Sequence, residues 1–240
     1  MLGLGSGISP TLADMHDQKS INLNGTNQYI DIDVIAGAID PDAFSISAWF
    51  KFTGAVTSSR HIFRTQVDSN NLIQIFYHAS GNDMRFVQKR GGTAYQADSN
   101  GSIVGVETDG AWHHVVGTIS NASSEIRFYL DGALKETTAL SGTFSGTCSI
   151  ADIGHTTQNS NYWYGNLNHV AIFDSVLTLG NITTIYNNGK PNDIMPIFGR
   201  SAPIAYYRFE EAAPATTAID SGTSGEDGTY ENSPTLDFDT

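Results

Sequence analysis

The clearest pattern along the chain is AFSISAWFKF at 43–52, where Phe44, Ile46, Ala48, Phe50 and Phe52 alternate with Ser45, Ser47, Trp49 and Lys51. Strict period two over this length predicts a β-strand with one face in a core. Trp49 is the aromatic exception on the polar side, and the pattern places it along a second sheet or a concave groove. The run SINLNGTNQYIDID at 20–33 reads as a hairpin, with Ile21 and Leu23 in one strand, a turn at Asn24-Gly25, and Tyr29-Ile30 in the next. HIFRTQ, NLIQIFYHA and DMRFVQKRG follow as strands separated by turns at Asp68–Asn71 and Gly81–Asp83, a spacing that favours antiparallel neighbours. Further strands are expected in AWHHVVGTIS, in EIRFYL and ALKETT on either side of an Asp131-Gly132 turn, at Ser149–Gly154 and at Trp163–Asp174. One helix is predicted near 178–187. Thr178 caps it, Ile182 and Ile185 share a side, and Asn188-Gly189 before Pro191 stops it.

About ten or more strands and one short helix, with no βαβ alternation and no internal repeat, predict an all-β antiparallel jelly-roll sandwich. The length of 240 residues fits one large β domain and a substantial core. Gly- and Ser-rich residues 1–19 read as an N-terminal arm and 20–240 as a single domain. The net charge of −13 comes without any Lys/Arg block, which argues against nucleic acid and anionic membranes as partners. No stretch reaches the roughly 18 apolar residues of a membrane span. Cys148 is the only cysteine, which excludes an intrachain disulfide and a cysteine-built zinc site. The N-terminus lacks a basic region followed by an apolar run, so Sec-type secretion is not expected.

A family resemblance rests on several pieces occurring in one order between Ser20 and Asn192. Leu23-Asn24-Gly25 with Tyr29-Ile30, Phe44–Lys51, Trp112–Val115, Tyr129–Gly132, Trp163–Asp174 and Leu177–Gly189 resemble successive motifs of the laminin-G-like, concanavalin-A-like lectin domain in its pentraxin-related form. The resemblance implies the jelly-roll fold, and by itself says little about function. Ala205–Glu211 and Ala218–Asn232 resemble the segment that usually opens such domains. The tail from 198 to 240 is therefore expected to complete the sandwich by circular permutation, a truncated second domain being the alternative.

Chemistry-bearing residues are sparse. A retaining glycosidase needs two carboxyls about 5–5.5 Å apart, and no E-x-D-x-E run is present. Glu107, Glu125 and Glu136 stand singly, and Glu210-Glu211 point to opposite faces of a strand. His113-His114 diverge for the same reason, and His16, His61, His78, His155 and His169 are scattered. Calcium is the one cofactor the resemblance implies, with Asp220, Asp227, Asp131 and Asn168 as candidate oxygen ligands. Asn24, Asn168 and His169 stand where the family carries acids, which reduces the charge available to hold a cation. For a sugar, the loop from Gly154 to Tyr164 has the right composition. Gln158, Asn159, Asn161, Tyr162 and Tyr164 offer rings and amides, with Tyr95 and Trp49 as further aromatic candidates. Trp163 sits at the family's core aromatic position.

The expected function is non-enzymatic. The layout is similar to that of minor structural proteins of bacteriophages, and the resemblance implies a virion decoration or tail-appendage protein assembled in the host bacterial cytoplasm. Its partners would be other virion proteins and host surface polysaccharide, in an oligomeric or lattice-bound state. The alternatives are an adhesion module of a bacterial surface protein and, least favoured, a glycoside hydrolase.

Overall fold

The computed structural model describes residues 19–101, 103, 105–106, 108–156, 161–198 and 202–238. In chain order its strands are β1 (Lys19–Asn24), β2 (Tyr29–Asp31), β3 (Ala43–Phe52), β4 (Arg60–Asp68), β5 (Asn71–His78), β6 (Asp83–Arg90), β7 (Thr93–Asp98), β8 (His113–Ser120), β9 (Glu125–Leu130), β10 (Ala133–Ala139), β11 (Ile150–Ile153), β12 (Tyr164–Phe173), β13 (Ala205–Tyr207), β14 (Thr217–Ala218), β15 (Gly228–Glu231) and β16 (Thr235–Phe238). Among the described residues three α-helices, α1 (Asp33–Ala36), α2 (Leu179–Tyr186) and α3 (Met195–Phe198), and a 3-10 turn at Asn187–Gly189 complete the regular structure. Sheet A runs β10-β9-β8-β3-β12-β1-β16, with β13 also on β12. Sheet B runs β14-β15-β2-β11-β4-β5-β6-β7. The architecture is the expected antiparallel jelly-roll sandwich.

The main core lies between the sheets. The apolar series Phe44, Ile46, Ala48, Phe50 and Phe52 of β3 faces Phe63 of β4, Ile73 and Ile75 of β5 and Phe86 of β6. Phe44 stacks on Phe63 and Phe86 at ring-centroid distances of 6.0 and 6.4 Å. Gly117 of β8 lies under Phe86, where an added Cβ would stand 2.5 Å from the ring. No side chain fits there without displacing the layer above.

Two local readings change. The 20–33 run is not a hairpin, because β1 pairs β12 and β16 in sheet A while β2 pairs β11 and β15 in sheet B. Asn24 Oδ1 accepts from the amides of Thr26 and Asn27, and Gly25 takes a positive φ, so the turn is real. The same turn chemistry serves a crossing between sheets as well as a hairpin. The polar face of β3 is also buried. A second apolar cluster of Val116, Tyr129, Phe173, Ile182, Ile185, Ile194, Phe198 and Tyr206 covers the outer side of sheet A.

Helix α2 supplies much of that cover. Thr178 Oγ1 accepts from Asn181 N and Asn181 Oδ1 accepts from Thr178 N, a reciprocal cap, and Asn187 ends the helix in the left-handed region. Ile182 and Ile185 then point down onto the sheet. Trp49 is 1% exposed, stacked on Tyr186 at 5.8 Å and tilted against His114 at 4.9 Å. His114 Nε2 bonds Ser47 Oγ (2.8 Å), and burial pushes this imidazole down to about 3, so it is neutral.

The tail is woven into both sheets. β13 pairs β12, β15 pairs β2 and β16 pairs β1. Tyr207, Phe209 and Tyr230 enter the main core. Asp220 organises the segment. Its Oδ1 accepts from the amides of Tyr206 and Gly222, and its Oδ2 accepts from Ser224 Oγ and Glu226 N.

At one end of sheet A, His113 donates from Nδ1 to Asp131 (2.9 Å) and from Nε2 to Asp109 (3.0 Å), tying the 105–112 segment to the β9–β10 turn. Burial pulls its pKa down, but the bonds and charges of Asp131 and Asp109 outweigh this and hold it above the ordinary imidazole range.

Two outcomes follow. Ending the chain at Phe198 removes Tyr206, Tyr207, Phe209 and Tyr230 from the two cores and a partner strand from β1, β2 and β12, so the truncated protein loses its cooperative thermal transition; an unchanged Tm contradicts this arrangement. Because His113 has a raised folded pKa, its contribution is complete below about pH 6.5 and is lost as pH rises through the folded value. Tm therefore falls over that window, and His113→Gln flattens the slope; an equal slope in the variant removes His113 as the cause.

Candidate functional site

With sheet A covered on its outer side, the outer face of sheet B is the broad sheet surface left for a ligand among the described residues. Its strands are in register so that Thr229, Asp31, Asp152, Arg64, Gln74, Val87 and Gln96 stand opposite one another on adjacent strands from β15 to β7. Residues opposite in register share a face. One row thus brings carboxylate, guanidinium and amide groups together from five of these seven strands. Glu231 and Tyr29 form the adjoining pair.

Residues 154–156 and 161–164 flank one end of this row, where Thr156 Oγ1 accepts from Arg64. Gly154 opens the loop at a φ of +82°, and an added Cβ would stand 2.3 Å from Leu23 Cδ1. Its amide donates to Ile62 O (2.7 Å), and Trp163 N donates back to Gly154 O (2.8 Å). Trp163 is fully buried, stacked on Phe52 at 4.7 Å and edge-on to Phe50 at 5.6 Å. Asn161 O accepts from His61 N (3.2 Å) and Tyr162 O accepts from Arg60 Nη1 (2.8 Å). These anchors hold Tyr162 over His155 at a ring-centroid distance of 4.5 Å and an interplanar angle of 21°, while Tyr29 lies 4.6 Å from His155 and 6.2 Å from Tyr162. The outcome is a shelf of three rings in which Tyr29 and Tyr162 are half-buried and His155 is the buried member.

Arg64 is 3% exposed and held by neutral acceptors: Nε donates to Gln66 Oε1 (3.0 Å), and Nη1 to Gln74 Oε1 (3.2 Å) and Thr156 Oγ1 (2.9 Å). His61 stacks on Phe76 at 4.8 Å, and burial, with Arg64 beside it, pushes its pKa down to about 3. Asp152 Oδ2 stands 3.6 Å from His155 Nδ1, beyond hydrogen-bond reach. Both atoms are buried and have no hydrogen-bond partner among the described residues, and neither has His61 Nδ1. Burial, followed by the charges of Glu231, Asp152 and Asp31, pushes the Tyr29 phenol up to about 12.

The sugar-site candidates divide. Asn161 and Tyr162 belong to the shelf, Asn161 through its backbone. Tyr164 is beside it, its ring under the Arg60 guanidinium at 5.9 Å. Gln158 and Asn159 lie outside the described residues. Tyr95 is on the far strand β7, packed against the main core with its hydroxyl bonded to Ser141 Oγ (2.7 Å). Trp49 is enclosed beneath α2 on the other sheet, so it has no free ring face for a sugar.

The calcium candidates do not converge. Asn168 lies opposite Trp49, which lies opposite His114, whose carbonyl accepts from Asp131 N; two strands therefore separate Asn168 from Asp131. Asp220 and Asp227 meet in the tail, where Asp227 Oδ1 accepts from Asp220 N. Their oxygens are engaged by amides and a hydroxyl, the turn chemistry of aspartate. Among the described residues no group of three or more His, Cys, Asp or Glu side chains is placed to hold a metal. Conversely, His61 and His155, which look scattered in sequence, meet on sheet B, and Tyr29, Asp152 and Arg64 join them.

Solved structures similar to this chain include a heptameric pentraxin from Limulus polyphemus (15% identity, TM-score 0.52, covering 71% of this chain and 82% of that one). A candidate carbohydrate-binding protein from Bacteroides ovatus gives 14% identity and TM-score 0.65; the match covers 93% of this chain and 61% of that protein's length. Domain 4 of an extracellular arabinanase from Geobacillus stearothermophilus, solved with arabinotriose, gives 18% identity and TM-score 0.57 over 70% of this chain and 76% of that one. At these identities the likeness concerns the fold. No curated protein matches the sequence. The family described as the concanavalin A-like lectin/glucanases superfamily, of the laminin-G type, matches residues 24–183, and the chain belongs to it.

Proposed function

We propose that this protein is a non-enzymatic carbohydrate-binding domain whose site is the Tyr29–His155–Tyr162 shelf on the outer face of sheet B. The observation that carries this reading is the pairing of half-buried rings with a row of carboxylate, amide and guanidinium groups on the sheet face left open by the described helices. A sugar ring presents an apolar C–H face and a rim of hydroxyls. The tyrosines match the first, and Asp31, Asp152 and Gln74 the second. The framework beneath is rigid, because Trp163 and Arg60 pin the loop and Arg64 cross-links Gln66, Gln74 and Thr156, which keeps the ordering cost of binding low. The Bacteroides ovatus protein and a carbohydrate-binding module of a Ruminococcus gnavus sialidase (12% identity, TM-score 0.56) are carbohydrate-binding by description, and the arabinanase domain was solved with arabinotriose.

We extend the reading to a virion surface or tail appendage on the likeness of chain layout, with other virion proteins and host surface polysaccharide as its partners. We also read 198–240 as a permuted opening segment of the domain. Its strands pair with β1, β2 and β12, and the family match ends at 183.

A glycan array probed with the purified protein tests the function. Binding is expected, and it is lost in Tyr162→Ala and Tyr29→Ala while Tm stays close to the parent value. Tyr95→Phe binds as the parent does. Absence of binding to any glycan, or binding that survives both tyrosine substitutions, contradicts the assignment.

A further inference from the structure

Acidic groups predominate at the shelf. Tyr29 is flanked by Glu231, Asp152 and Asp31, each close enough to act on its phenol, and Asp31 and Asp152 act in turn on Asp33. Arg64 stands opposite Asp152 in register and its charge acts on that carboxylate, but the N–H groups of the nearby arginines are spent on other acceptors. Arg60 donates to the carbonyls of Gly25 and Tyr162, and Arg64 is buried with its N–H groups on Gln66, Gln74 and Thr156. His61 is neutral in its burial. Asp33 spends one oxygen on Ala151 N (2.7 Å), and Asp31 spends one on Asp33 N (2.9 Å). Asp152 differs from these. It is 4% exposed, and its Oδ2 has no hydrogen-bond partner among the described residues while it faces the His155 ring that joins the two tyrosines. A buried carboxylate oxygen left without a hydrogen bond is costly, and a ligand donor that reaches it recovers that cost.

Resting on the carbohydrate reading, we propose that the shelf is a subsite for a positively charged amino sugar, its ammonium group held between the Tyr29 and Tyr162 rings and the Asp152, Asp31 and Glu231 carboxylates. An ammonium carries three donors and is attracted both to carboxylates and to the faces of aromatic rings. A half-buried site strengthens both attractions relative to open water. The same field disfavours a uronate, sialate or sulfate group. The chain's net charge of −13 acts in the same direction at longer range.

The experiment compares an oligomer of glucosamine, its fully N-acetylated counterpart and an oligomer of galacturonic acid, by calorimetric titration at neutral pH and low salt. The glucosamine oligomer is expected to bind at least about tenfold more tightly than the N-acetylated one, equivalent to about 1.4 kcal/mol. Its advantage shrinks as salt is raised. Asp152→Asn and Asp31→Asn erase the preference of the amine over the N-acetylated oligomer while each variant keeps its Tm. If the N-acetylated and acidic oligomers bind as well as the amine and depend on Tyr29 and Tyr162, the charge assignment is wrong and the carbohydrate reading stands. If the amine's preference survives in both asparagine variants, the site of charge recognition is misplaced. If none of the three binds and the wider glycan array is blank as well, both readings fall.

Discussion

Each sheet of a sandwich has two faces, and the core between the sheets uses only one of each. What happens at the outer faces decides where this protein can act. Sheet A loses its outer face to α2, α3 and their neighbours. Ile182 and Ile185 sit on Val116, Tyr129 and Phe173, and Trp49 is enclosed between His114 and Tyr186. Truncating a side chain of that size to alanine typically costs about 3–5 kcal/mol, so this layer is part of the fold and not an appendage to it. Sheet B has no such layer among the described helices, and its outer face carries the half-buried tyrosines, the buried arginine and the carboxylate oxygen that lacks a hydrogen bond.

The tail and the 154–164 loop make that face usable. β15 lies beside β2 and puts Glu231 opposite Tyr29, and β16 and β13 stabilise sheet A from the other end of the chain. Trp163 anchors the loop in the core, so Tyr162, one residue before it, is carried onto the surface at a set distance from His155. The placement of one half-exposed ring thus depends on a neighbour buried between the sheets.

Much of the fold was legible in the sequence. Period two in β3, the Asp131-Gly132 hairpin and the Thr178 cap all behave as their chemistry dictates, with positive φ at Asp131 and Gly132 and a reciprocal cap at Thr178. The site was less legible, for physical reasons. Alternation says which residues share a face of one strand, but the register between strands is a long-range property. Nothing in the local sequence places Asp31 opposite Asp152, or Asp152 opposite Arg64. Composition singled out Trp49 because it is aromatic among serines, yet the outer face of sheet A is dry and the serines bond internally, Ser45 to Ser175 O and Ser47 to His114. Asn24-Gly25 misled in the same way, since a turn motif specifies a reversal of the chain and not the sheet that the chain then joins.

The central claim is that recognition occurs on sheet B and that sheet A is structural. Amide chemical-shift mapping during titration with a binding oligosaccharide tests it most directly. The account predicts shifts concentrated at Tyr29–Asp31, at Asp152–Thr156 and at Asn161–Tyr162, with His114–Val116 and Leu179–Tyr186 unmoved. Shifts centred on α2 and its strands, with sheet B silent, would contradict it.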